Sequence, residues 1–177
     1  MDLIPLHNRV VALDVHQAVI TACAIVADAD GVHIEERSFE TFKRGLRALR
    51  DWCLKIKPEL VVMESTGIYW KSPHAWVERA GLNCMVVNAH HVKNVPGHKS
   101  DIADPRWLAM LARAGLLKPS FVPPEKLRRL RLVSRQRQKL VGMLAAEKNR
   151  LGKVLADAGV RLGVVVSDLN GKSARKM

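Results

Sequence analysis

The first 40 residues alternate between apolar runs and short polar breaks, as β-strands do. The runs "RVVALDVH" and "AVITACAIVA" are followed by a polar turn at residues 28–31 and then by "GVHIEERSF". These segments are rich in β-branched residues, and their connections are short. The pattern predicts three consecutive strands that pair as an antiparallel meander.

The hydrophobic period changes after Glu40. An apolar residue recurs every three or four positions from Phe42 to Ile56, which predicts an amphipathic helix that stops at Pro58. Two short apolar runs, "ELVVMES" and "NCMVVNA", then predict buried strands, separated by the helix "SPHAWVERAGL" that ends in Gly81. Strands that alternate with helices after a meander predict an α/β fold, with a mixed sheet flanked by helices.

The remaining third of the chain is predicted to be helical. After the polar loop "HHVKNVPGHKS", the segment "DPRWLAMLARAGLL" predicts a helix with Asp104 as N-cap and Pro105 at its first position. Proline is absent from Glu125 to about Ala158, where leucine and valine recur at helical spacing. This predicts one long helix, or two with a break near Gly142. The predicted organisation is a domain over 1–117, a proline-rich linker over 118–124, a helical arm over 125–160 and a flexible tail over 161–177.

Charge is distributed unevenly between these parts. The chain has 29 Lys and Arg against 17 Asp and Glu, but residues 1–116 hold 14 basic and 13 acidic residues, whereas residues 117–177 hold 15 and 4. A near-neutral domain that carries a basic arm indicates a polyanionic partner, usually nucleic acid. We expect phosphate contacts from four bases that share one face of the arm without alternating acids, namely Arg128, Arg131, Arg135 and Lys139. The apolar stripe of the same helix predicts pairing with another helix, in this chain or a second one.

Several other classes of protein are disfavoured. Cys23, Cys53 and Cys84 are widely separated, which argues against a disulfide framework or a zinc site. The N-terminus does not have the pattern of a signal peptide, and no apolar stretch approaches ~18 residues, so we expect a cytoplasmic protein without a membrane partner. A nucleotide-dependent kinase or ATPase needs a glycine-rich turn after the first strand, and "LDVHQAVI" has none.

Four carboxylates are the candidate catalytic groups. Asp14 interrupts an apolar strand, Glu64 ends a buried strand, and Asp101 and Asp104 precede the helix after the next strand. Pairing of the two strands would bring Asp14 beside Glu64, and the helix would place Asp101 and Asp104 near them. Clustered carboxylates repel one another unless cations neutralise them, and oxygen ligands suit Mg²⁺ or Mn²⁺. Two such ions ~3.5–4 Å apart assist cleavage of a phosphodiester. A role as N-cap is sufficient to explain Asp104. Asp101 has no such role, so metal binding is the better explanation for it.

Three motifs resemble those of one family: "LDVH" around Asp14, "VVMESTGIYW" around Glu64, and "VNAHHVKNVPGHKSDIADPRWLAMLA", which contains Asp101 and Asp104. The chain resembles the N-terminal catalytic domain of DEDD-type transposases of bacterial insertion sequences, which include the bridge-RNA-guided recombinases. Two positions depart from the family pattern. Gln17 stands where the family has lysine, and Pro105 stands where it has a small residue.

The resemblance implies an RNase-H-like fold in which the four acids form a metal-binding tetrad. It also implies DNA recombination directed by a structured guide RNA, in homodimers or homotetramers that assemble partly through the helical arm. Family members continue into a C-terminal domain with a serine implicated as nucleophile; this sequence ends before such a domain, so no serine is assigned that role. Lys93 and Lys99 flank the expected metals and are predicted to contact phosphates.

Two functional hypotheses follow. The first is the catalytic domain of a transposase or recombinase that cuts and exchanges DNA strands with Mg²⁺ or Mn²⁺, in the bacterial cytoplasm and associated with the nucleoid. The alternative is a non-catalytic fragment of such a recombinase that binds nucleic acid and assembles. Metal-dependent cleavage that is lost in Asp14→Asn separates the first hypothesis from the second.

Overall fold

The computed structural model describes residues 5–64, 67–93 and 105–177. The chain forms two compact units, Met1–Val122 and Pro123–Met177. Within the described residues, no helix combines the length and apolar character required to cross a bilayer.

A mixed sheet of five strands, counted over the described residues, organises the first unit. Its strands are β1 (Arg9–Val15), β2 (Val19–Asp28), β3 (Gly31–Glu40), β4 (Leu60–Glu64) and β5 (Cys84–Val87), in the spatial order β3-β2-β1-β4-β5. The first three pair antiparallel, which confirms the predicted meander, whereas β4 is parallel to both β1 and β5. The predicted α/β class and mixed sheet are therefore confirmed.

Helices cover both faces of this sheet. They are α1 (Lys43–Ile56), α2 (Lys71–Arg79), α3 (Ala89–Lys93) and α4 (Pro105–Arg113). Helices α1 and α2 pack on the face that carries Val11, Leu13 and Met63, and α4 packs on the opposite face, against Ala12 and Val62. A central position between two helical layers explains why β1 and β4 are almost completely buried.

Two details differ from the sequence prediction. The segment 89–93 was expected in a polar loop, but it forms α3, because Val92 turns inward and is buried beside Val87. The run "NCMVVNA" was expected to be a buried strand, yet β5 is the last strand of the sheet and Cys84 and Met85 are only half-buried. Its outer side is covered locally, since the Ser120 N–H donates to the Val86 carbonyl at 2.7 Å.

The second unit is dominated by one helix, α5 (Glu125–Asp157). It continues without a break through Gly142, which decides between the one-helix and two-helix alternatives. No residue of α5, all of which are described, is buried. The segment after it forms two single turns of 3-10 helix and contacts α5, where the Lys148 ammonium donates to Asp168 at 3.1 Å.

Gly45 sets how closely α1 approaches the end of β3. A Cβ atom at this position would lie 2.1 Å from the carbonyl oxygen of Glu40, far inside van der Waals contact. Because the obstacle is backbone, no side-chain rotation can relieve the clash. The missing side chain therefore allows the first turn of α1 to pack beside the strand that precedes it.

We expect Gly45→Ala to lower the free energy of unfolding by about 1–3 kcal/mol, since the steric cost exceeds the gain of ~1 kcal/mol in helix propensity. Urea unfolding followed by circular dichroism measures the change. Gly142→Ala is the matched control, because no atom lies within 4 Å of its added Cβ. It should leave the first unit unaffected and stabilise α5. Equal stability of Gly45→Ala and the unsubstituted chain would contradict this account.

Candidate active site

Two acidic side chains lie at the same edge of the sheet, at the ends of adjacent strands. Strands β1 and β4 run parallel, with Leu13 opposite Met63, and the next residues along each are Asp14 and Glu64. Only 8% of Asp14 and 7% of Glu64 is exposed. The predicted pairing of these strands is confirmed, and it brings the two carboxylates together.

Both carboxylates also face the same side of the sheet. Side chains alternate along a strand, so Asp14 shares the face of Ala12, and Glu64 shares the face of Val62. Ala12 and Val62 belong to the apolar cluster that packs against α4. The two acids therefore continue this face beyond its apolar part, at the carboxyl ends of parallel strands, where ligands of open α/β sheets commonly bind.

Helix α4 points its first residue toward this edge. The carbonyl of Arg113, at the end of α4, accepts hydrogen bonds from the N–H groups of Leu6 at 2.8 Å and His7 at 3.2 Å, just before β1 begins. Since α4 packs on β1 with its C-terminal end beside the start of that strand, the helix runs antiparallel to β1. Pro105 therefore lies on the side of Asp14, and Asp104 is the residue before it in the sequence.

His16 is a part of this site that sequence reasoning missed. Its Nε2 lies 2.9 Å from Oδ2 of Asp14. A carboxylate without a proton only accepts hydrogen bonds, so Nε2 is the donor. The bond orients the carboxylate and leaves Oδ1 for another partner. The available signal was spacing, because residues two apart in an extended segment point to the same side.

A comparison with family models identifies the chain. The DEDD transposase model of the IS110 type, described as a transposase, matches residues 11–159. The chain belongs to this transposase family. The match includes both described carboxylates and all of α5, and it confirms the family resemblance found in the motifs.

Solved structures give weaker likenesses. The chain is similar to RuvC of Thermus thermophilus, with 14% identity, a TM-score of 0.47, and coverage of 63% of this chain and 99% of RuvC. The same protein in complex with a Holliday junction gives 13% identity and a TM-score of 0.45 over the same shares of both chains. The Holliday junction resolvase of fowlpox virus gives 11% identity and 0.36, over 45% of this chain and 60% of the resolvase. The comparison with curated proteins found no match.

The structure describes only some of the other predicted site residues of this transposase chain. Asp101, Asp104 and Lys99 lie outside the described residues, as does the side chain of Lys93, the last residue of α3. Within the described part of the chain, no group of three or more His, Cys, Asp or Glu side chains could hold a metal ion. The four predicted phosphate-binding bases all lie on α5 in the second unit: Arg128, Arg131, Arg135 and Lys139.

Two of the three cysteines of this transposase are poor nucleophiles at neutral pH. Burial raises the pKa of the Cys53 thiol to about 12. Burial also raises the pKa of Cys84 to about 12, with smaller contributions from Glu78 and Cys53. Only the thiolate attacks or binds metal, so both groups stay protonated and inert.

We expect Cys53 and Cys84 to react with iodoacetamide at pH 8 roughly a thousandfold or more slowly in the folded chain than in urea. Because the pKa values are raised, the rate in the folded chain should increase about tenfold for each pH unit from 8 to 10. Peptide mapping by mass spectrometry measures each site separately. Labelling of the folded and unfolded chains at similar rates would show that burial does not control these thiols.

Proposed function

We propose that this chain is the catalytic domain of a transposase that cuts DNA phosphodiesters with Mg²⁺ or Mn²⁺. Membership of a transposase family supports DNA cleavage and recombination as the general activity. The observation that carries the specific proposal is the burial of Asp14 and Glu64 side by side at one sheet edge. Two adjacent buried carboxylates repel each other, and a divalent cation bound between them would neutralise that repulsion.

The donor set fits a hard divalent cation. Asp14 and Glu64 supply carboxylate oxygens, and the His16 bond leaves one oxygen of Asp14 available. We propose that Asp101 and Asp104 complete the tetrad, because α4 points its first residue toward this edge. A bound Mg²⁺ or Mn²⁺ would supply activation of the attacking oxygen and neutralisation of the leaving oxygen. The chain itself orients the ligands and excludes water from the apolar side of the site.

Nucleic-acid binding is the second part of the proposal. Lys93 ends α3, which starts two residues after β5 at the same sheet edge, and we propose that Lys93 and Lys99 contact phosphates beside the carboxylates. Arg131, Arg135 and Lys139 are exposed on α5, and their spacing keeps them on one face together with Arg128. We propose that this face holds phosphates of the DNA or of a structured guide RNA.

Assembly through α5 is the third part. Large apolar side chains remain exposed along the helix, including Leu127, Leu130, Leu140, Val141, Leu144 and Leu151. Such a stripe is typical of a helix that pairs with another helix. We propose that α5 joins copies of the chain as a homodimer or homotetramer, which acts on DNA in the cytoplasm in association with the nucleoid.

The cleavage proposal predicts metal-dependent nicking of end-labelled four-way DNA junctions, with and without the cognate guide RNA. Removing a metal ligand lowers activity more than removing a residue that only hydrogen-bonds to a ligand. Asp14→Asn and Glu64→Gln should therefore each lower the nicking rate by at least about 100-fold. Gel electrophoresis of products formed in Mn²⁺ and in EDTA measures the effect.

Glu59→Gln is the matched control for this experiment. Glu59 is an exposed carboxylate just before β4, at the opposite end of the strand from Glu64. Its substitution should leave nicking unchanged. Nicking that survives in Asp14→Asn would refute the proposed site. Binding without any nicking by the unsubstituted chain would instead favour the alternative of a non-catalytic binding and assembly fragment.

Metal binding itself predicts a change in thermal stability. At a Mn²⁺ concentration of about one hundred times Kd, the folded chain should gain ~2.7 kcal/mol, or roughly 5–10 °C in Tm for a chain of this size. Differential scanning fluorimetry measures the shift. Asp14→Asn should lose it and Glu59→Gln should keep it. An equal shift in Asp14→Asn would show that Mn²⁺ binds elsewhere.

A further inference from the structure

The first unit contains one strongly basic helix, whereas the rest of its sequence has more acidic than basic residues. Of the 14 basic residues before Leu117, six lie between Lys43 and Lys57, where Asp51 is the single acid. The other residues of this part hold eight bases and twelve acids. The net charge of residues 1–116 is therefore near zero, yet positive charge is concentrated on α1. This helix lies on the sheet face opposite α4.

The first turn of α1 lies at the same sheet edge as the carboxylates. Thr41, two residues before α1, donates from its N–H to the Ala18 carbonyl at 3.2 Å and from its hydroxyl to the Gln17 carbonyl at 2.8 Å. Gln17 and Ala18 form the turn that follows Asp14 and His16 on leaving β1. The start of α1 is therefore tied to the segment that carries Asp14.

The far end of α1 lies at the opposite edge. Arg9, the first residue of β1, donates from Nη1 to the carbonyl of Ile56 at 3.2 Å. At 1.5 Å of rise per residue, Lys55 lies about 16 Å further along the helix axis than Arg44. One helix thus presents two basic groups of residues, one at the end of the sheet where the carboxylates lie, although on the opposite face, and one at the other end.

The basic residues at the same end of the sheet as the carboxylates are Lys43, Arg44 and Arg47, and all three are exposed. No described acid forms an ion pair with any of them, whereas Arg50 pairs with Asp51 at 2.6 Å and lies over the Trp76 ring. Three cations in the first two turns oppose the helix dipole, and this first turn contains no acid. Helix stability does not explain them, so an anionic partner is the physical reason that remains.

We infer that Lys43, Arg44 and Arg47 bind the phosphate backbone of the DNA duplex arm that leads to the cleaved phosphodiester. The inference rests on the proposed function, because substrate DNA that reaches Asp14 comes to the end of the sheet at which α1 starts. Duplex DNA carries one negative charge per ~1.7 Å of its axis, so three cations within two helical turns meet several phosphates. Such contacts position the duplex and do not read its sequence.

The test neutralises each basic group separately in the full 177-residue chain. Arg44→Gln with Arg47→Gln removes two charges at the carboxylate end of the sheet, and Lys55→Gln with Lys57→Gln removes two at the far end of the same helix. Fluorescence anisotropy measures binding to a four-way DNA junction in EDTA over a series of salt concentrations. The first pair should lose about tenfold in affinity at ~0.1 M salt, with a log–log salt slope smaller by ~2. The second pair should stay within about twofold of the unsubstituted chain.

A lysine pair separates charge from fold. Arg44→Lys with Arg47→Lys should restore most of the affinity. A purely structural role of the arginines would not predict this recovery. Circular dichroism should show the same helix content in every variant. Equal losses from both glutamine pairs, or a loss confined to duplex RNA, would overturn the inference. Because the assay contains EDTA, its result is independent of nicking. Persistent nicking by Asp14→Asn would refute the proposed site without changing the binding outcome.

Discussion

Parallel pairing of β1 with β4 is the constraint on which the site depends. It aligns Leu13 with Met63, so the next residue on each strand is an acid, and both acids face the same side. The surrounding strands and helices stabilise this arrangement, because they bury the apolar residues on both faces of β1 and β4. A shift of one residue in either strand would turn its carboxylate into the opposite apolar layer.

The same constraint organises the positive charge around the site. The turn after β1 accepts the hydrogen bonds of Thr41, and α1 therefore starts at the edge where β1 ends. Helix α4 reaches that edge from the other face, with its C-terminal end held near the beginning of β1. Acidic and basic side chains thus lie at one end of the sheet, on opposite faces, although they come from distant parts of the sequence.

Much of this could be predicted from the sequence, because the decisive signals were local. Alternating β-branched runs predicted the meander, and the change to a period of three or four residues predicted α1. The Asp104-Pro105 pair predicted the start of α4, which begins at Pro105. Segment 89–93 was misassigned because its polar composition resembles a loop, whereas burial of Val92 against β5 decided the helix. Here a tertiary contact outweighed local propensity.

The sequence by itself determined most of the elements, the family and the candidate carboxylates, because periodicity and motif spacing are properties of neighbouring residues. Only the tertiary structure decided which elements meet. The hydrogen bond from His16 to Asp14, the burial of Glu64 and the start of α1 at the end of the sheet where β1 ends all depend on strand order and helix direction. Those are set by packing two apolar layers against one sheet, a property of the whole unit rather than of any segment.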